Sequence, residues 1–309
     1  MVRRVAVIGT GVIGASWASN FLAHGLEVTA HDPAPGAEAR LHATVAAQWP
    51  AMQAMGLAAG ADPAWLRFHA NLEAALDGAE FVQENGPERL DAKQALFAAM
   101  AAATSADVVL ASSSSTLMVS DVQPGCHHPE RVVLGHPFNP PHLIPLVEVV
   151  GGAATSEGAI TQAMAFCRQI GKHPIRLRRE MKGHVANRLQ AALWQEAFHL
   201  LLEGVADVAD IDAAIAHGPG LRWALLGPFL NLHLSGGPGG MAHMLAHLGP
   251  PTEAMWRDLG QVTLDPAQVE AITRAVSQDI ATRSMADIVA ARDATLVGLL
   301  RAKAATALP

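Results

Sequence analysis

The sequence has few of the residue types that mark secreted, membrane-bound or nucleic-acid-binding proteins. It contains two cysteines, Cys126 and Cys167, four lysines and no tyrosine. Two cysteines are too few for a disulfide scaffold and are typical of a reducing compartment, so we predict a cytoplasmic protein. The scarcity of lysine and a net charge of −7 argue against nucleic acid or an anionic membrane surface as a partner.

Long hydrophobic runs are also missing. The N-terminal stretch MVRRVAVIGTG is interrupted by glycines after about five apolar residues, too soon for a signal-peptide core or a membrane span. Half of the 309 residues are hydrophobic and 16% are charged, which is ordinary for a globular protein. A chain of this length forms one large domain or two medium ones.

Two histidine-rich stretches invite a metal-site interpretation, which their spacing does not support. Cys126, His127 and His128 are consecutive, with no second ligand group at the spacing of a zinc site. His243 and His247 lie on one helix face in HMLAH, but the glutamate of the HExxH zinc motif is missing. We therefore predict no metal.

The first part of the chain alternates strand and helix signals. VAVIG predicts a buried strand, ASWASNFLAHG a helix and EVTAHD a second strand. The alternation continues through FVQEN, DAKQALFAAMAAA and DVVLASSSS, and RVVLGHPF, PLVEVV and HPIRLRR add strands, which predicts a parallel, doubly wound α/β sheet. Beyond it only helical periodicity is found. We predict a Rossmann-type domain over residues 1–182 and an all-helical domain over residues 183–309.

A glycine-rich stretch follows the first predicted strand. Gly9, Gly11 and Gly14 form GTGVIG between a strand and a helix, the context that a dinucleotide-binding loop requires. In such a loop the first glycine makes the turn, the second lets the backbone approach the pyrophosphate, and the third permits close helix packing. Asp32 ends the second predicted strand about twenty residues further on. An acid there binds the ribose hydroxyl and repels the extra phosphate of NADP, so we predict NAD as the cofactor.

The stretch HPFNPPHLIPLVEVV begins with a histidine and ends with one carboxylate in an apolar run. An ionised group in such a run is costly to bury without a partner. We predict that the partner of Glu148 is His136. A neutral imidazole can take the proton of a secondary alcohol as hydride leaves the carbon, and a carboxylate on its other nitrogen fixes the tautomer. The alternative is a core histidine beside an exposed acid on an edge strand.

Several motifs, in their order and spacing, resemble one family. GTGVIG, ENGPERLDAK, ASSSSTL, GHPFNPPHLIPLVEVV and GHVANRLQ make nearly the whole chain similar to the 3-hydroxyacyl-CoA dehydrogenase superfamily. The block GPGLRWALLGPFLNLHLSGGPGGM looks most like its short-substrate branch, which includes L-gulonate 3-dehydrogenase (lambda-crystallin) and L-carnitine dehydrogenase. Some polyketide ketoreductases also look similar. The resemblance implies an NAD-dependent dehydrogenase of L-3-hydroxy acids.

The resemblance also implies roles for individual residues. It makes His136 the catalytic base and Glu148 its orienting carboxylate. Ser115 matches the serine that binds the reacting oxygen, with Ser114 as the second choice because four serines are consecutive. Asn187 matches an asparagine at the start of a long helix that helps to polarise the carbonyl and touches the nicotinamide amide.

Two charged residues of PERLDAK match a pair that contacts the cofactor in this family. They are Glu88 and Lys93. The alternative is a surface pair at a spacing that does not face well on a helix.

Residues 33–66 bear on the size of the substrate. In the acyl-CoA enzymes of the family, a helical hairpin after the second strand carries basic residues for the CoA phosphates. Here the segment contains Arg40 and no lysine, together with Glu38 and Asp62. Phosphate sites use charge-assisted contacts, so we expect a small L-gulonate- or L-carnitine-like 3-hydroxy acid. Its carboxylate needs a donor, for which Arg222 in GLRW is the candidate; a surface arginine is the alternative.

The sequence leaves two alternative functions open and also predicts a homodimer. The same chemistry would suit an acyl-CoA thioester or a polyketide intermediate, and a crystallin-like protein would retain NAD binding as structure alone. The set of site residues is intact, which argues against the purely structural function. The segment GPGLRWALLGPFLNLHL has more apolar residues than one helix face can bury within a domain, so we predict a homodimer.

Overall fold

The chain forms two compact units in a computed structural model that describes residues 1–306 and 308. The first unit runs from Met1 to Asn187 and the second begins at Arg188. All strands of the described residues lie in the first unit: β1 Arg4–Ile8, β2 Glu27–His31, β3 Leu66–Phe68, β4 Phe81–Glu84, β5 Val109–Ser112, β6 Val132–Pro137, β7 Leu146–Gly151 and β8 His173–Arg176. Its helices are α1 Val12–Ala23, α2 Ala37–Met55, α3 Leu72–Leu76, α4 Leu90–Ala103, α5 Val119–Val122 and α6 Glu157–Gln169.

The strands form one sheet in the order β3-β2-β1-β4-β5-β6-β7-β8. The chain reverses its direction of travel across the sheet between β1 and β4, as in doubly wound nucleotide-binding folds. The predicted doubly wound α/β fold is therefore confirmed, with one correction. The sheet is not parallel throughout, because β7 runs antiparallel to β6. Only residues 138–145 connect these strands, whereas a parallel crossover needs a dozen or more residues.

Helices cover both faces of the sheet, which explains its continuous apolar strands. Along β1, Val5 and Val7 pack into one core cluster, to which Trp17 of α1 belongs. Ala6 and Ile8 pack into the cluster on the other face. A strand buried on both faces loses the alternation of polar and apolar residues and becomes apolar throughout.

The second unit is helical in its described residues, as predicted. Helix α7 begins in the last residues of the first unit, close to the expected boundary at residue 182. The helices are α7 Ala186–Leu202, α8 Val208–Ala216, α9 Pro219–Trp223, α10 Pro228–Ser235, α11 Gly240–Asp258, α12 Pro266–Asp279 and α13 Met285–Ala304. Among the described residues of this unit, Val297 is the one large apolar side chain that is buried. No helix in the described part of the chain has the length and apolarity to cross a membrane.

Candidate active site

The antiparallel strands β6 and β7 bring together the histidine and the carboxylate that the sequence singled out. His136 and Glu148 are direct partners in the register of these strands. Directly opposite residues of an antiparallel pair project from the same face. The Nδ1 atom of His136 lies 3.0 Å from Oε2 of Glu148, and both side chains are buried. The predicted pairing is present in the structure.

The second carboxylate oxygen of Glu148 is held by the start of helix α7. Oε1 accepts hydrogen bonds from the backbone N–H groups of Val185, at 2.9 Å, and Ala186, at 3.0 Å. Burial raises the pKa of Glu148, but the hydrogen bonds from His136, Ala186 and Val185 outweigh it and bring the pKa below its usual range. Glu148 is thus a carboxylate, and a carboxylate on Nδ1 leaves the Nε2 atom of His136 free for a substrate.

The four consecutive serines, residues 112–115, begin at the last residue of β5 and form the serine run. One glutamate binds several groups at its end. Oε1 of Glu88 accepts hydrogen bonds from the hydroxyl of Ser114 at 2.7 Å and from the backbone N–H groups of Ser115, at 2.9 Å, and Thr116, at 2.8 Å. Burial raises the pKa of Glu88, but the hydrogen bonds from Ser114 and Thr116 and the charge of Lys93 outweigh it, and the pKa lies below its usual range. Ser114 is buried and Ser115 is partly exposed. The assignment of Ser115, or of Ser114, to the reacting oxygen stays a prediction.

Lys93 forms an ion pair in the interior, a contact that the sequence did not predict. Its Nζ atom lies 2.8 Å from Oε1 of Glu84 and 3.7 Å from Oε2 of Glu88. The side chain of Lys93 is 1% exposed and that of Glu88 is 36% exposed, so Lys93 approaches Glu88 from the interior rather than on the surface. The hydroxyl of Ser112 also donates to Glu84, at 2.9 Å. The Lys93–Glu84 pair fixes the end of β4, close to Glu88. The contact of Glu88 and Lys93 with the cofactor stays a prediction.

The glycine loop lies between β1 and α1 and fits a dinucleotide. Gly9 has a φ of +86°, and a Cβ atom there would lie 2.7 Å from the carbonyl carbon of Asn85. A Cβ atom at Gly14 would overlap the carbonyl oxygen of Gly9. Gly11, by contrast, is exposed and has nothing within 4 Å of the position of a Cβ atom. Among the described residues nothing requires glycine there, whereas a pyrophosphate passing close to the backbone does.

The start of α1 supplies the groups that a pyrophosphate needs. Gly11 is its N-cap and provides no side chain to satisfy the first N–H groups of the helix. Such free N–H groups and the positive end of the helix dipole favour an anion. NAD would be held by this helix end, by Gly9 and Gly11 and by Asp32.

Asp32 follows β2 and is already in contact with the glycine loop. Its Oδ2 atom accepts hydrogen bonds from the backbone N–H of Thr10 at 2.8 Å and from the Thr10 hydroxyl at 3.2 Å. Burial raises the pKa of Asp32, but the hydrogen bonds from Thr10 and Ala34 outweigh it and bring the pKa below its usual range. The side chain is therefore a carboxylate next to the loop, as ribose binding requires.

Two further predicted residues lie on helices of the C-terminal half. Asn187 is the second residue of α7 and is partly buried. Arg222 lies on the short helix α9 of the second unit and is exposed. The roles predicted for both stay predictions.

His184 is a site residue that was not predicted from the sequence. Its ring centroid lies 5.0 Å from that of His136. The sequence signal that could have indicated it is its position within the motif GHVANRLQ.

No metal site emerges from residues 1–306 and 308, where no group of three or more His, Cys, Asp or Glu side chains is placed to hold an ion. His243 and His247 stack with their ring centroids 6.1 Å apart.

The dinucleotide loop and the His136–Glu148 pair define the class of the protein as an NAD-dependent oxidoreductase that acts on an alcohol. The comparisons with known proteins agree. Residues 4–181 match the family described as "3-hydroxyacyl-CoA dehydrogenase, NAD binding domain", and residues 183–263 match its "C-terminal domain". The chain belongs to the 3-hydroxyacyl-CoA dehydrogenase family and is an NAD-dependent 3-hydroxy acid dehydrogenase.

Curated relatives extend over almost the whole chain. An L-carnitine dehydrogenase of Streptomyces griseus is 51% identical over 301 residues, covering 97% of this chain and 90% of that protein. An L-carnitine dehydrogenase of Pseudomonas aeruginosa is 44% identical, covering 97% of this chain and 94% of that protein.

Solved structures share the fold at lower identity. The crystal structure of 5-formyl-3-hydroxy-2-methylpyridine 4-carboxylic acid 5-dehydrogenase, described as an NAD+-dependent dismutase, is similar with a TM-score of 0.85 and 27% identity, covering 99% of each chain. A 3-hydroxybutyryl-CoA dehydrogenase of Escherichia coli is similar with a TM-score of 0.65 and 30% identity, covering 87% of this chain and 56% of that one.

Proposed function

We propose that the protein oxidises the 3-hydroxyl group of L-carnitine to the 3-keto acid, with NAD as the acceptor. The relatives named L-carnitine dehydrogenase, at up to 51% identity over nearly the full chain, carry the choice of substrate. The chemistry rests on the His136–Glu148 pair. L-Gulonate is the other small 3-hydroxy acid that the sequence suggested.

Proton transfer in this reaction falls to His136. Its Nδ1 atom is bonded to Glu148, so Nε2 takes the proton of the substrate hydroxyl and the imidazole becomes an imidazolium. The ionised Glu148 stabilises that charge and keeps the ring in one orientation. NAD, which Gly9, Gly11 and Asp32 would hold at the start of α1, would supply the hydride acceptor for this oxidation. Ser115 and Asn187 are assigned to binding the reacting oxygen.

The surface that would hold CoA phosphates in an acyl-CoA enzyme supports a small substrate here. Arg40 is the one arginine of residues 33–66, and its Nη1 atom donates to the carbonyl oxygen of Pro35 at 2.7 Å. A single arginine already bonded to the backbone offers little to several phosphate groups. A free carboxylic acid such as carnitine needs one bidentate donor, which we assign to Arg222.

Recognition of the trimethylammonium group calls for aromatic faces, because a quaternary ammonium has no hydrogen to donate. The chain has no tyrosine, so tryptophan and phenylalanine must supply them. Trp194 and Trp223 are 49% and 46% exposed, and Trp223 follows Arg222 directly. Trp223, the neighbour of Arg222 in the sequence, is our candidate for the ammonium group.

A substrate panel tests the proposal. NADH formation is measured with L-carnitine, D-carnitine, L-gulonate, L-3-hydroxybutyrate and L-3-hydroxybutyryl-CoA. We expect the highest kcat/KM with L-carnitine and a loss of roughly two to four orders of magnitude in His136→Ala, the usual scale of general base catalysis. A higher kcat/KM with the CoA thioester would refute the choice of substrate. Unchanged turnover in His136→Ala would refute the mechanism.

The assignment of Arg222 is tested in the same assays. Lysine cannot copy the bidentate geometry of a guanidinium group on a carboxylate. Arg222→Lys should therefore raise KM for the acid, by about tenfold for each 1.4 kcal/mol of binding lost, and leave NAD affinity unchanged. A variant that behaves like wild type with every accepted acid would remove Arg222 from the site.

We also assign the protein to the cytoplasm and to a homodimer. The two cysteines are free thiols, which suits a reducing compartment. The dimer is supported by the apolar side chains that the second unit exposes, among them Phe229 at 79% and Trp256 at 66%.

A further inference from the structure

His184 is a buried histidine beside the catalytic pair. It is 3% exposed, and its ring lies against that of His136 with a centroid distance of 5.0 Å. It precedes helix α7 and belongs, like His136, Glu148 and the serine run, to the first unit. It has no part in the proton transfer proposed for His136.

Residues 184–186 contact both halves of the site, and we call them the 184–186 bridge. On one side, Nε2 of His184 lies 3.2 Å from the carbonyl oxygen of Ser114. On the other side, the next two N–H groups of the bridge bind Oε1 of Glu148. The bridge thus ties the serine run to the carboxylate that orients the base.

The hydrogen bond to Ser114 defines the tautomer of His184. A carbonyl oxygen only accepts, so Nε2 carries the hydrogen and Nδ1 carries a lone pair. Burial lowers the pKa of His184, and so does the neighbouring His136, while the hydrogen bond to Ser114 and the carboxylates Glu148 and Glu88 act in the opposite direction. The balance lowers the pKa of His184, so a neutral imidazole faces the base, and two positive charges do not meet when His136 takes a proton.

The choice of histidine at this position costs stability. The backbone of His184 has a φ of +53°, in the left-handed region that favours glycine. Its Nδ1 atom is buried without a hydrogen-bond partner among the described residues. Glycine would suit the backbone better, and an apolar ring would fill the space without an unsatisfied nitrogen. A costly residue in contact with both halves of the site calls for a functional explanation.

We infer that His184 is a positioning residue, whose Nε2–H group holds the Ser114 carbonyl so that the serine run and the His136–Glu148 pair keep one arrangement around the reacting oxygen. The inference rests on the proposed role of His136 as base. It does not depend on which 3-hydroxy acid is the substrate.

Two variants separate the ring from the backbone. His184→Gly keeps the left-handed backbone and removes the imidazole. His184→Phe keeps the bulk of a ring and removes the N–H donor. Both should lower kcat by roughly ten- to hundredfold, which corresponds to about 1.4 to 2.8 kcal/mol, with little change in the Kd for NAD. His128→Gly is the matched control, because His128 is also left-handed, with a φ of +57°, but is exposed and outside the site; it should keep wild-type kcat.

Rescue by free imidazole distinguishes positioning from mere structural support. Imidazole added to His184→Gly enters the space that the side chain leaves and should restore a large part of kcat, whereas His184→Phe should not respond. Wild-type kcat in both variants would overturn the inference. A loss of kcat in His184→Gly that imidazole does not restore would also overturn it. The same holds for a loss of kcat that is explained by weaker NAD binding or by unfolding of the variant. His136→Ala is measured alongside: if it retains turnover, the proposed function itself fails.

Discussion

At the scale of single residues, buried carboxylates hold the side chains of the candidate site in place. Glu148 and Glu84 are each 0% exposed, and each has a cationic or hydrogen-bonding partner. Glu148 is hydrogen-bonded to His136, the proposed base, while Glu84 pairs with Lys93. Glu148 is the single acid of an apolar strand, whereas Glu84 follows Gln83 at the end of β4. The sequence therefore marked Glu148, while Glu84 lacked the signal of an isolated acid in an apolar run.

The first prediction concerns the charge of Glu148. Glutamine keeps the shape of the side chain, but it cannot stabilise an imidazolium through a negative charge. We expect Glu148→Gln to lower kcat by about two to four orders of magnitude, the scale of general base catalysis, while NAD still binds. Steady-state kinetics across pH and a titration with NAD measure both quantities. A variant with wild-type kcat at every pH would exclude the pair as the catalytic base.

The second prediction concerns the choice of cofactor. Asp32 is a carboxylate beside the glycine loop, where it would bind the ribose hydroxyl and repel a phosphate on it. Asp32→Ala should weaken NAD binding and reduce the difference between the Kd for NAD and the Kd for NADP. Fluorescence titrations with both reduced cofactors test this. An unchanged preference would mean that Asp32 lies away from the ribose.

At the scale of elements, the glycine loop and the start of helix α1 contain glycines that are needed for two different reasons. Gly14 is required by the protein itself, because a side chain there would overlap Gly9. Gly11 has open space around it and extended backbone with a φ of −63°.

A matched pair of substitutions separates these two requirements. Gly11→Ala should fold with wild-type Tm and bind NAD more weakly, since the added methyl group stands where the pyrophosphate passes. Gly14→Ala should lower Tm as well, because the helix must move away from the turn. Thermal unfolding without NAD and NAD titration give the two readouts. Wild-type NAD affinity in Gly11→Ala would contradict the fit of the loop to the cofactor.

The connection between β6 and β7 is held by a buried lysine. The ammonium group of Lys172 donates to the carbonyl oxygens of Pro141 and Ile144, at 3.0 Å from the latter, and lies 5.3 Å from the centroid of the Trp17 ring. Burial lowers the pKa of Lys172 to about 7, with a small opposing effect of Cys167. The loop that follows His136 thus depends on a lysine without a carboxylate partner among the described residues.

This lysine makes stability depend on pH. Above pH 7 the folded protein releases a proton that the unfolded chain keeps up to about pH 10.4. Because the unfolded state binds more protons in that window, the free energy of unfolding rises with pH, by at most about 1.4 kcal/mol per unit. Lys172→Met should lose this contribution, so its stability relative to wild type should fall between pH 7 and 9. Urea unfolding measures it, with the exposed Lys303→Met as control; parallel curves for Lys172→Met and wild type would contradict the prediction.

At the scale of the whole molecule, the two units differ in how they bury apolar surface. The first has a core on each face of its sheet. The second buries few side chains and exposes many large apolar ones, including those of α10 and α11. A domain of this kind gains stability by burying such surface against a second copy, and closed dimers are the commonest symmetric assemblies.

Light scattering tests the dimer. We expect twice the chain mass at micromolar concentration. Leu232→Glu, in α10, should weaken the dimer, and Leu57→Glu should not. These leucines are matched in exposure, at 40% and 38%, but lie in different units. A monomeric wild-type protein, or equal effects of the two variants, would contradict assembly through the second unit.

The sequence by itself determined the features that depend on local spacing. Strand and helix periods predicted the doubly wound sheet and the helical second unit. GTGVIG with Asp32 predicted the cofactor, and the single acid in LVEVV predicted a pair with His136. Each of these follows from residues within one stretch of a few dozen positions, or from motifs that share their order with the family.

Only the tertiary structure decided the contacts between distant segments. The antiparallel direction of β7 sets Glu148 opposite His136, and the start of α7 adds two N–H groups to that carboxylate. The burial of Lys93 and the place of His184 between the serine run and His136 depend on the same packing. Sequence patterns record which side chains are polar, but their partners depend on which strands and helices meet. That is a property of the folded chain.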